Sequence, residues 1–157
     1  MSAFAFFSMT VAVLLVGDVS KSQVRDERKL QGWWQIQAAE AKGQMIDEPE
    51  LGELGKWQLV FKGNRLIVHY GDGSEKESAV YLAEAGKHHA MDLVGLSGPD
   101  QGMISKGIWR FEGERLRLCY NNKPGDNRRP QQFKTTADSE FMMIVLKRQE
   151  SSSRKKP

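Results

Sequence analysis

The chain has 157 residues, which fits one domain with tails, and its 39% hydrophobic content excludes wholesale disorder. The net charge of +3 and pI of about 9.0 owe much to Arg154, Lys155 and Lys156, and no basic face interleaved with aromatics points to nucleic acid. A single cysteine, Cys119, excludes an intramolecular disulfide and a CxxC metal or redox pair.

Ala3 to Gly17 is an apolar run without charge. It is too short for a comfortable span of ~20 residues and suits the hydrophobic part of a signal peptide. Two details run against that reading: no Lys or Arg precedes the run and no clean A-x-A site follows it. If the segment is removed, cleavage is expected near Val19 or Ser20. Export to the periplasm, envelope or exterior is the expectation. The alternatives are an uncleaved anchor, or a mis-called start ahead of a cytoplasmic protein. Removing residues 1–20 would delete one acid, Asp18, and no base, taking the charge from +3 to +4. Lys21 to Lys29 is charged and aperiodic, a linker or short helical turn. The domain is expected over residues 30–148, with 149–157 as a disordered basic tail.

From Leu30 onward, strand patterns recur between turn residues. Trp33 to Glu40 is the first strand. Ile46 to Leu54, with Asp47 as an N-cap and Pro49 early, is expected to form one or two helical turns. In Trp57 to Phe61, Trp57, Leu59 and Phe61 share one face, with Gln58 and Val60 on the other. Gly63-Asn64 is a hairpin turn into Arg65 to Tyr70. Further strands follow at Glu77 to Ala83, His89 to Val94, Ile104 to Phe111, Arg115 to Tyr120 and Glu140 to Arg148. Arg115 to Tyr120 alternates sharply, with Leu116, Leu118 and Tyr120 against Arg115, Arg117 and Cys119. Asn121 to Gln131 is an exposed loop.

No helical period is sustained after residue 55. The pattern therefore predicts an all-β fold, an eight-stranded antiparallel up-and-down barrel with a short helical turn after the first strand. Closure removes the exposed edges of such a sheet, and a barrel of this size is either filled by side chains or holds one small ligand.

Several residues bear on chemistry. His88, His89, Asp92 and His69 could suggest a metal, but adjacent strand residues point to opposite faces, so a surface loop is the simpler reading. No metal or cofactor is expected. There is no G-x-S-x-G, and Gly71-Asp72-Gly73 is turn chemistry rather than a phosphate cradle. Cys119 reads as a small buried hydrophobe, the sharper alternative being a reactive thiol. Arg128 and Arg129, in a long loop, could take a carboxylate or phosphate at the barrel mouth; the simpler reading is a solvated loop.

An ordered series of motifs runs through the chain. It comprises L-x-G-x-W at Leu30 to Trp34 with Glu40 and Gly43, F-x-G at Phe61 to Gly63, and M-D-L at Met91 to Leu93. G-P-D-x-G at Gly98 to Gly102, G-I-W at Gly107 to Trp109 and L-R-L-C at Leu116 to Cys119 continue it. P-G…R-R-P at Pro124 to Pro130 and L-K-R at Leu146 to Arg148 complete it. Together they resemble an uncharacterised family of exported, lipocalin-like domains expanded in planctomycetes. The stretch Leu82 to Leu93 departs from that family's pattern by lacking its prolines, which bears on the local loop shape. The resemblance implies a lipocalin-like barrel and no activity. The wider likeness to lipocalins implies that Trp34 packs beneath Arg148 to close one barrel end, with Gly32 letting the backbone pass close by. The alternative is a Trp34 that is only a large core residue.

The leading expectation is a monomeric, non-enzymatic domain binding a small apolar or amphipathic ligand. Trp33, Trp57, Tyr70, Trp109 and Tyr120 are candidate lining residues, and Arg128 and Arg129 candidate contacts at the mouth. A filled barrel serving as an interaction module of the cell envelope is the alternative. An enzyme with Cys119 or a carboxylate at the mouth is the third. No nucleic-acid partner is expected, and no membrane domain beyond the N-terminal segment.

Overall fold

The structure is a computed structural model and describes residues 21–150; the expected signal segment and most of the expected tail lie outside the described residues. Helix α1 (Lys21–Leu30) leads into nine strands. These are β1 (Gly32–Ala41), β2 (Gln44–Asp47), β3 (Gln58–Lys62), β4 (Arg65–His69), β5 (Glu75–Ala85), β6 (His88–Gly95), β7 (Ile104–Glu112), β8 (Arg115–Asn121) and β9 (Phe141–Arg148). Every pairing is antiparallel, and β1 closes on β9 from Trp34↔Arg148 to Ala41↔Met142. Eight strands, β1 and β3 to β9, therefore form a closed up-and-down barrel, as the alternation predicted. No helix among the described residues is long and apolar enough to cross a membrane.

Two local patterns differ from expectation. Ile46 and Asp47 do not start a helix; they pair with Ala39 and Ala38 in β2. Lys42 (φ 52°) and Gly43 (φ 77°) both take left-handed backbone, the signature of a two-residue hairpin turn whose twist matches that of the strands. The helical turn comes later, as a 3-10 turn at Leu54–Lys56. The charged run expected as a linker or a short helical turn is the ten-residue helix α1. It is anchored by its last residue, Leu30, which is buried in the core, so tertiary packing decided what periodicity could not.

A register shift lies between Ile36 and Ala38 in β1. Below it Trp34 and Ile36 face inward, and above it Ala39 does, because one extra residue reverses the alternation. β1 then pairs with β3 only over Gly32 to Gln35. The turn segment around Leu51 covers the rest of that gap, with Leu51 buried and Gln35 Nε2 donating to the Gly55 carbonyl at 3.2 Å.

Two apolar clusters result. The larger lies in the interior and includes Trp34, Phe61, Leu66, Met91, Trp109, Leu116, Leu118 and Leu146. The smaller lies on the outer face, where Ala38, Ile108, Cys119, Met143 and Val145 are packed by Phe133 and Phe141. The long connection between β8 and β9 is thus not a solvated loop throughout: part of it is a strap laid along the outside of the barrel. Thr135 anchors it. Its N–H and hydroxyl donate to Glu40 Oε1 at 2.5 and 2.9 Å, and its oxygen accepts from Gly43 N–H at 2.8 Å. Glu40 and Gly43, noted only as motif positions in the sequence, acquire this structural role.

Candidate functional site

The hairpin order separates two ends. At one lie the turns after β3, β5 and β7, together with α1. At the other lie the turns after β4 and β6 and the exit from β8.

The α1 end is closed by side chains. The Arg148 guanidinium sits 4.4 Å from the Trp34 ring centroid. It donates to the Gln31 carbonyl at 2.5 Å and to the Lys29 carbonyl, so a cation meets the C-terminal carbonyls of α1, where the helix dipole favours it. Trp34 Nε1 donates to the Leu30 carbonyl at 2.8 Å within the core. Gly32 has φ +113°, a conformation that favours glycine, and a Cβ there would lie 2.9 Å from Arg148 Nη1 and push on the guanidinium. Phe111 packs on Trp34 and Trp109, leaving this end filled.

The opposite end is hollow. A cavity of about 210 Å³ opens there, bounded by Ile36, Leu59, Leu66, Val68, Leu93, Leu118 and Ile144 in its apolar wall. Trp57 and Tyr70 stand at it in an edge-to-face pair, centroids 4.7 Å apart. Tyr120 lies opposite, its hydroxyl 3.3 Å from Met142 Sδ, a weak acceptor that leaves the phenol free for a better one. Burial, then the neighbouring Tyr70 and Cys119, push the Tyr120 phenol up to about 12, so it is neutral at physiological pH. Ser78, Ser105 and Asn122 add neutral polar groups.

Lys76 and Asp100 are the charged side chains among the described lining residues, and they form an ion pair across the lip, each about one-third exposed. The G-P-D-x-G loop places Asp100. Gly102 N–H donates to the Gly95 carbonyl at 2.8 Å and Gly95 N–H to the Met103 carbonyl at 3.0 Å. A Cβ on Gly95 would come within 2.3 Å of the Asp100 carbonyl oxygen, so only glycine lets the loop fold this close.

Of the residues expected at a ligand, Trp57, Tyr70 and Tyr120 line the cavity. Trp33 faces outward and stacks on His69 at 5.2 Å; adjacent strand residues take opposite faces, so it cannot share the interior with Trp34. Trp109 is buried in the filled half, stacked on His89 at 4.9 Å. Arg128 binds Asp126 of its own loop through Nε and Nη2 at 2.9 and 2.5 Å. Those bonds hold the Asp126 carboxyl well below the usual carboxylate range. Arg129 donates to the Gly107 carbonyl at 2.8 Å, and its Nη2 lies 2.7 Å from Asp92 Oδ1, an ionic contact outside hydrogen-bond angles. Both arginines thus serve the strap. Cys119 is fully buried beneath it, and burial, reinforced by Glu40, pushes the thiol up to about 12. A thiol so poised is not a ready nucleophile.

Lys76, Ser78 and Asp100 escaped the sequence reading. The available signal was alternation: Lys76 and Ser78 fall on the same face as Val80, so that strand turns polar toward one end. No protein-family model matches the chain, and no curated protein matches it.

Proposed function

We propose that the protein is a lipocalin-like, non-enzymatic binding domain that holds one small apolar or amphipathic molecule in the hollow half of its barrel. The observation that carries this reading is the cavity of about 210 Å³, walled by aliphatic side chains and three aromatics and open at one end. Ligand sites are typically apolar concavities with a few oriented polar groups, at the mouths of barrels among other places. An apolar cavity of ~150 Å³ takes up benzene, so this one suits a single ring or a short chain. The order of family-like motifs from Leu30 to Arg148 supports the lipocalin-like assignment, and the apolar run at Ala3 to Gly17 favours work outside the cytoplasm.

Titration of the full-length protein with phenol, followed by heteronuclear NMR, tests the reading. Saturable shifts concentrated at Leu66, Val68, Leu93 and Ile144 are expected, and Ser105→Trp, which fills the void, should abolish them. The absence of any saturable shift would contradict binding.

A further inference from the structure

We infer that the Lys76–Asp100 pair makes the cavity selective for amphiphiles with an uncharged polar head, such as an amide or alcohol, over carboxylates and amines. The inference rests on the binding reading above and names its ligand class.

The wall is mostly hydrocarbon and aromatic, with Ser78, Ser105 and Asn122 as its neutral polar groups, and Lys76 and Asp100, the charged side chains of the lining, meet at the lip as an ion pair. A lysine ammonium carries three donors and a carboxylate about four acceptor positions, so pairing leaves both partners with unspent capacity at a pair that lines the cavity. The pair therefore presents one donor and one acceptor side by side while its net charge is zero. An amide head matches both: its carbonyl accepts from Lys76 Nζ and its N–H donates to Asp100. An alcohol does the same with one oxygen.

A charged head fits worse. A carboxylate must share Lys76 with Asp100 and bring two negative charges together. An ammonium brings two positive charges together beside Lys76. Either arrangement leaves one uncompensated charge in a partly desolvated setting, which is the costly state for an ion pair. The pair is also fixed rather than incidental. Gly95 and the turn bonds of Gly102 and Met103 hold Asp100 over the mouth, and Lys76 projects from β5, two residues before Ser78 on the same inward face.

Each substitution should create a charge preference, of opposite sign in the two variants, without closing the cavity. Hexanamide, hexanoate and hexylammonium share a six-carbon chain and are titrated by calorimetry into the full-length protein, Lys76→Met and Asp100→Asn. Thermal melting confirms that each variant is folded. The native protein should bind hexanamide tightest. Asp100→Asn should raise the affinity for hexanoate relative to hexylammonium by roughly tenfold, and Lys76→Met should shift that ratio the other way by a similar factor. The same ranking in all three proteins would overturn the selector while leaving binding intact. Failure of the native protein to bind any of the three would instead remove the binding reading, and the selector with it.

Discussion

The two ends of this barrel are built from the same eight strands yet hold different contents. At the α1 end, large side chains meet: Trp34, Phe61, Trp109, Phe111 and Leu146 converge, and Arg148 seals them against the helix C-terminus. At the other end the inward positions include the smaller Val68, Ser78, Leu93, Gly95 and Ser105, the aromatics Trp57, Tyr70 and Tyr120 stand around the opening, and the interior stays open. Strand geometry is common to both ends, so side-chain volume decides which half is core and which is cavity. Stability should accordingly reside in one half and binding in the other.

Four substitutions and one titration probe that division. The largest effect is expected for Trp34→Ala, which leaves a void under Arg148 and removes the bond to the Leu30 carbonyl; chemical denaturation should show a loss of ~3–5 kcal/mol. A change within ~0.5 kcal/mol would mark the closed end as dispensable. Gly32→Ala, strained at φ +113° and crowded by Arg148, should cost ~1–3 kcal/mol by the same assay. Val80→Phe, in the interior cluster of buried residues, should also cost ~1–3 kcal/mol through overpacking, whereas Ser105→Leu at the cavity should stay within ~1 kcal/mol. Equal costs at the two sites would erase the contrast.

The titration concerns Tyr120. Its phenol is raised from 10 to about 12 in the folded protein, so between those values the unfolded chain loses a proton that the native state keeps. Stability must then fall as pH rises through that window, by no more than ~1.4 kcal/mol per unit from this group. Tyr120→Phe should flatten the fall in a series of melting curves recorded from pH 9 to 12; an unchanged slope would show that the phenol is well hydrated.

Much of this fold was legible in the sequence because alternation is a local signal. Leu116, Leu118 and Tyr120 against Arg115, Arg117 and Cys119 specify a strand and both its faces without outside help. The hairpin turn at Gly63-Asn64 was legible because it too is a local signal. Other features depend on distant partners. Phe133 and Thr135 lie in an aperiodic stretch, and nothing local shows that they cross the outer face to meet Cys119 and Glu40. Helix α1 carries no apolar stripe over its charged residues and is secured from the far end of the chain by Arg148. The candidate site was legible only in part. Trp57, Tyr70 and Tyr120 were visible as candidate lining aromatics, but so were Trp33 and Trp109, because a void is a property of many strands together. Its polar lip needed Asp100, which sequence presents only as part of a turn.

The division of the barrel is tested most directly by a crystal of the protein pressurised with xenon, which enters dry apolar cavities large enough for it. The account predicts ordered xenon in the hollow half, against Leu66, Val68, Leu93 and Ile144, and none between Trp34, Met91 and Trp109. An interior without xenon in the hollow half, or xenon seated among those large side chains, would contradict it.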